Sequence, residues 1–191
     1  MGYGIMPYLV NVNVLRSPHT YTDDAEDFLA WVQDRHCKDD EYGPTRESLR
    51  EMFFGEPLTG SQGHVYGYTL EALCKTFGGH LSNSCWYPAP SSWFDTVRDA
   101  LAEVGVRFDP NDLIYSGPPV KLPPIDDFPV IGCLRRDEAT PVAEALDAAD
   151  LSAISDPGVA ESVAELHGWL KKCKDDKDDE MNSFDLVCFY Y

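Results

Sequence analysis

Residues 184–191 read FDLVCFYY, and this stretch decides the fold class. It is apolar on nearly both sides, which suits a strand inside a sheet covered on each face and not an edge strand. Such a strand needs apolar layers above and below it, and the rest of the chain must supply them. Just upstream, Asp156-Pro157 offers a cap followed by a first-turn proline. Val159, Val163, Leu166, Leu170 and Cys173 then recur at alternating spacings of four and three, which predicts a helix with one buried stripe. Between helix and strand, Lys174 to Glu180 holds five acids and two lysines, the composition of a solvated charged loop.

At the other end of the chain, Ile5 to Val14 alternates, with Met6, Tyr8, Val10, Val12 and Val14 on one side and Asn11 and Asn13 on the other. That pattern predicts a half-buried strand. Thr22 with Asp23 and Asp24 marks a helix start, because a hydroxyl caps free N–H groups and early carboxylates suit the positive end of the helix dipole. This helix buries Ala25, Phe28, Leu29 and Val32 and gives way near Lys38. Thr45 to Phe54 is a second helix, with Leu49, Met52 and Phe53 inward and Gly55 to end it. A third begins around Tyr68, burying Leu70, Leu73, Cys74 and Phe77. A fourth follows Pro88 to Pro90, capped by Ser91 or Ser92, with Phe94, Val97, Leu101 and Val104 as its stripe. Leu113 to Tyr115 reads as a short strand and Val130 to Leu134 as another. Between them, prolines crowd Gly117 to Pro129, a stretch unable to join the middle of a sheet and expected to run extended over a surface as a strap. Asp137 to Ala149 has helical composition, with Pro141 tolerable only if the first turn begins near Thr140.

These elements describe one α+β domain of 191 residues, a small mixed sheet packed by five to six helices, with no linker long enough to divide it. Hydrophobic residues make up 43% of the chain, enough for a core. Fifteen Lys and Arg stand against 33 Asp and Glu, so the net charge is −18, a field that disfavours nucleic acid and anionic membrane as partners. The longest uncharged run, Met1 to Leu15, contains Asn11 and Asn13 and has no basic leader, which predicts neither a signal peptide nor a spanning helix and hence a soluble, cytoplasmic protein. The six cysteines are spread singly, with no CxxC pair and no short-spaced histidine of the kind a zinc site needs, so no disulfide framework, metal or other cofactor is expected. Cys74, Cys173 and Cys188 read as small buried hydrophobes of a reducing compartment. Cys85 and Cys133 sit in or beside loops.

The "PVIG-x-L" entry at Pro129 to Leu134, an acid-opened helix, a second helix containing "ELHGWLKKC", the closing "DLVCFYY" and the opening "MGYGIMPYLVNVNVL" together resemble the YfbM-like family. The resemblance covers about two thirds of the chain. It implies an α+β fold whose two terminal strands share one sheet, and it brings no catalytic signature. A looser implication is a role as immunity partner of a secreted toxin. Residues 55–90 do not match the family pattern.

Within that segment, Gly63-His64-Val65-Tyr66-Gly67-Tyr68 sets a histidine, two phenols and two glycines just before a helix. His64 could act as an acid or base near neutral pH, with helix-start N–H groups holding an anion. The alternative is a turn with an aromatic anchor. Trp86-Tyr87-Pro88 and Trp93-Phe94 either line a groove for a peptide or a flat ligand or cover a loop-rich core. Asp126-Asp127 reads as a surface loop, since neighbours on an extended chain point to opposite sides. His36-Cys37 lacks a third member for a thiolate triad, and the usual enzyme motifs are absent, so no catalytic residue is assigned.

Two functions follow. In the first, acidic faces that include Asp23, Asp24, Asp27, Asp39, Asp40 and Glu41 dock a basic protein, as an immunity or antitoxin protein does, without catalysis. In the second, His64, Tyr66, Tyr68, Trp86 and Trp93 wall the pocket of a small enzyme or ligand-binding domain. Oligomeric state is not legible.

Overall fold

The computed structural model describes residues 3–38, 42–174 and 183–191. Its centre is a four-stranded sheet in the order β2-β1-β4-β3, formed by β1 (Ile5–Val10), β2 (Gly79–His80), β3 (Val130–Leu134) and β4 (Asp185–Tyr190). The C-terminal strand β4 lies between β1 and β3, with Tyr8 opposite Val187 and Cys133 opposite the same residue. Every pairing is antiparallel, so the sheet is not the mixed one expected. Short β2 and β3 guard the two edges.

The period of two along β4 sorts its side chains onto two cores. Leu186, Cys188 and Tyr190 join Ile5, Leu134, Trp86 and Phe94 on one side, while Val187 and Phe189 join Tyr8, Val10, Ile131 and Cys133 on the other. Helices cover both sides, which is why FDLVCFYY has no polar face. The first layer consists of α5 (Ser91–Glu103), α7 (Arg136–Ala148) and α8 (Pro157–Lys174), with the short α6 (Asp112–Tyr115) beside them. The second consists of α1 (Val12–Arg16), α2 (Ala25–His36), α3 (Arg46–Phe54) and α4 (Gly63–Phe77). Eight α-helices are thus present among the described residues, two of them a single turn or so, against the five to six expected.

The helix predicted from Pro157 follows the sequence closely: Asp156 Oδ1 accepts from the N–H groups of Gly158 (2.8 Å) and Val159 (3.1 Å), and all five stripe residues are buried. Thr45 caps α3, and Gly55 ends it at φ 69°, a left-handed conformation that glycine adopts without a steric cost.

Local hydrogen bonding redraws other boundaries. The first strand stops at Val10, because Asn11 Oδ1 accepts from the Asn13 N–H and starts α1, and β1 is buried on both faces instead of one. Asp24, not Thr22, caps α2 by accepting from the Asp27 N–H. Pro90 occupies the cap position of α5, and neither Ser91 nor Ser92 makes a capping bond. The strand expected at Leu113 to Tyr115 is helix α6: Asp109 Oδ1 accepts from the Asn111 N–H at 3.0 Å, and that turn commits the following residues to helix. Helix α7 begins at Arg136, so Pro141 sits inside it on the solvent side. It forgoes the bond its N–H would have made to Asp137, a cost set by its missing donor. Cys133 is buried in β3, while Cys85 is half-buried, and all six cysteines are free thiols.

Residues 117–129 form no helix or strand and lie along the second core, where Val120, Leu122 and Ile125 pack. Asp126 and Asp127 are exposed. The strap meets the start of α4 so closely that a Cβ on Gly63 would stand 1.9 Å from the Pro124 carbonyl oxygen. Of the charged loop at 174–180, only Lys174, the last residue of α8, is among the described residues. No described helix is long and apolar enough to cross a membrane.

Candidate functional site

Helix α4 begins at Gly63, not near Tyr68, which turns the expected loop into a little more than one extra turn of helix. His64, Tyr68, Glu71 and Lys75 then recur at spacings of four, three and four, one stripe along the helix. This stripe runs beside the C-terminal end of α2 and the end of the sheet where Tyr191 follows β4. Between them lies a cleft of about 540 Å³ lined by Arg35, His36, Lys38, Tyr42, Tyr68, Glu71, Lys75 and Tyr191, with Gly43, Pro44 and Ala72 completing it.

Glu71 forms its floor, with a side chain only 4% exposed. Burying a carboxylate is costly unless donors replace water. Here Oε1 accepts from Tyr8 OH at 2.7 Å and from Tyr191 OH at 2.9 Å, and Lys75 Nζ lies 2.9 Å from the same oxygen. The other oxygen, Oε2, accepts no hydrogen bond from any described residue. No fully buried side-chain oxygen or nitrogen among the described residues lacks a partner, so Oε2 is the oxygen open to the cleft. Burial, and then the charge of Glu71, push both phenols far above the ordinary tyrosine range, which fixes them as donors.

His36 stands across the cleft with Nε2 3.2 Å from Thr76 Oγ1. Thr76 spends its own hydrogen on the Ala72 carbonyl at 2.8 Å, so His36 Nε2 must donate and Nδ1 carries the lone pair. Burial and the nearby cations Lys75, Arg35 and Lys38 lower its pKa and favour this neutral form. Burial raises the adjacent Cys37 thiol, which is therefore no activated thiolate.

The residues singled out from sequence do not meet at one place. Tyr68 lines the cleft, its ring edge-on to Tyr191 with centroids 5.7 Å apart. His64 lies one turn away, against the ring of Tyr42 at 5.8 Å. Tyr66 points elsewhere: its hydroxyl donates to Glu51 and accepts from the Gly60 N–H, at a smaller cavity of about 300 Å³. Burial would raise the Glu51 carboxyl, yet hydrogen bonds from Thr59 and Tyr66 outweigh it and hold the pKa below its ordinary value, so this unit is a closed structural knot. Trp86 and Trp93 are on the opposite side of the sheet and form no groove. Trp86 is fully buried and donates to the Ser162 carbonyl at 3.1 Å, and Trp93 donates to the Ser162 hydroxyl at 3.1 Å. Asp23, Asp24 and Asp27 are exposed around a shallow hollow of about 440 Å³, whereas Asp39, Asp40 and Glu41 lie outside the described residues. No group of three or more His, Cys, Asp or Glu among the described residues is arranged for a metal ion.

Glu71, Lys75, Tyr8 and Tyr191 escaped the sequence reading. The signal for two of them is present: once the helix is started at Gly63, a polar stripe stands beside the apolar one of Leu70, Leu73, Cys74 and Phe77. Tyr8 and Tyr191 carry no such signal, because only strand pairing brings the two ends of the chain to one helix.

A family model described as a domain of unknown function (DUF7691) matches residues 1–191. No curated protein and no solved structure matches. The family found brings no activity with it, and nothing in the match links it to the YfbM-like family that the strand and helix patterns resemble.

Proposed function

For a chain that belongs over its residues 1–191 to the DUF7691 family, we propose a ligand-binding function seated in the Glu71 cleft. The observation that carries it is the divided carboxylate: Oε1 takes two phenols and an ammonium, while Oε2 of the same largely buried side chain faces the cleft with no donor among the described residues. The cleft also gathers Arg35, Lys38 and Lys75, three of the chain's 15 basic residues, so the ligand meets both signs of charge. Ligand-observed NMR of the folded protein with a library of small polar molecules tests this. Binders whose signals broaden with the native protein and recover with Glu71→Gln support the site. A set of binders indifferent to that substitution contradicts it.

A second reading, docking of a basic protein, is favoured by the net charge of −18 together with Asp23, Asp24 and Asp27 exposed around one hollow. The immunity-type role and the YfbM-like resemblance belong with this reading. Charge of this sign speaks against nucleic acid and anionic membranes as partners, and six free thiols support a reducing, cytoplasmic setting.

A further inference from the structure

Resting on the ligand-binding reading above, we infer that the occupant of the Glu71 cleft is a free α-amino acid with an aromatic side chain. The floor presents unlike charges side by side, the Glu71 carboxylate and the Lys75 ammonium 2.9 Å apart. An α-amino acid carries the mirror arrangement, an ammonium and a carboxylate on one carbon. Its ammonium donates to Oε2, which accepts from no described residue, and its carboxylate falls beside Lys75. A ligand with only one of these charges would make only one of the two contacts, with Glu71 Oε2 or with the cations Lys75, Arg35 and Lys38.

The walls supply the rest. Tyr42, Tyr68 and Tyr191 line the cleft with Pro44 and Ala72, and Tyr68 and Tyr191 already meet edge to face. Aromatic walls favour a ring in offset or edge contact. Arg35 and Lys38 add cationic charge at the same cleft, which selects for the carboxylate end, while His36, held neutral and donating to Thr76, does not compete for it.

The test uses three probes that share one ring: L-phenylalanine, its amide and 3-phenylpropionate. The full chain is labelled with 15N and each probe is titrated, with Glu71→Gln and Lys75→Met run alongside. Lys75 is half-exposed, so its variant keeps the fold even if Glu71→Gln disturbs it. We expect L-phenylalanine to shift the amide signals of Tyr68, Glu71, Ala72 and Tyr191 saturably. The amide and the acid should each bind about 10-fold more weakly, one charge-assisted contact being lost. Lys75→Met should remove the preference for L-phenylalanine over its amide. Equal binding of all three probes, or no binding of L-phenylalanine while another small molecule occupies the cleft, overturns the amino-acid inference and leaves the ligand site standing. A cleft that no small molecule shifts overturns both.

Discussion

The Tyr8 hydroxyl lies 63 residues from Glu71 in sequence and 2.7 Å away in space, and it ties the second layer of helices to the sheet. Its ring also packs edge-on to Phe189 at 5.7 Å, so the strand and the site share one residue. Tyr8→Phe keeps the ring and removes only the donor, leaving Oε1 with Tyr191 and Lys75. The expected loss is about 1.5–3 kcal/mol, the range for a hydrogen bond to a charged group. Urea denaturation followed by fluorescence measures it. An unchanged midpoint would mean that this bond contributes nothing to the fold. Tyr191→Phe should cost less, since Tyr191 is the half-exposed partner.

At the scale of elements, legibility followed periodicity. The last helix carried five inward residues at regular spacing and a proline-marked start, and its predicted and observed residues agree. The strand at 184–191 was legible as an interior strand because Leu186 to Tyr190 leave no face for water. The start of α4 was not legible: Gly63 and Gly67 look like loop residues, whereas they are small because the strap crosses there. A Cβ at Gly63 would meet the Pro124 carbonyl oxygen, and one at Gly67 would meet the Pro129 ring at 2.9 Å. Tertiary contact therefore outweighed local propensity. The same error hid the cleft, since Glu71 and Lys75 acquire meaning only when the stripe from His64 is read as helical. Two alanine substitutions separate these cases. Gly63→Ala forces backbone apart and should destabilise by about 3 kcal/mol or more, the upper end of overpacking. Gly168→Ala, inside α8 with no atom within 4 Å of the added methyl, should stabilise by roughly 0.5–1 kcal/mol. Thermal unfolding of the pair tests both, and a stabilised Gly63→Ala would refute the close crossing.

For the whole molecule, pH separates two kinds of contribution. The His36 pKa is lowered in the fold, by burial first and then by Lys75, Arg35 and Lys38, with Glu71 opposing. A histidine depressed in this way contributes stability above its unfolded pKa, about 6.5, and loses it as pH falls through the folded value. Glu51 and Glu165 are lowered as well, because hydrogen bonds outweigh the burial that would raise them. Their contributions are present above the ordinary value of 4.5 and are lost only as pH falls below it. Stability should thus decline in two steps on acidification. His36→Gln should reduce the first, which sets in as pH falls below about 6.5 and to which His80, lowered likewise by burial and then by Lys75, also contributes, and should leave the second intact. A first step undiminished in the variant would assign it to His80 or another group.

The cleft between α2, α4 and Tyr191 is where a ligand should sit. Crystals of the protein soaked with a diverse set of small polar fragments provide the direct answer. Fragments should collect in this cleft with an N–H or O–H group within hydrogen-bond distance of Glu71 Oε2. Fragments gathering only elsewhere, as in the hollow lined by Leu15, Arg16, Met52, Glu56 and Val120, with water alone on Glu71, would contradict it.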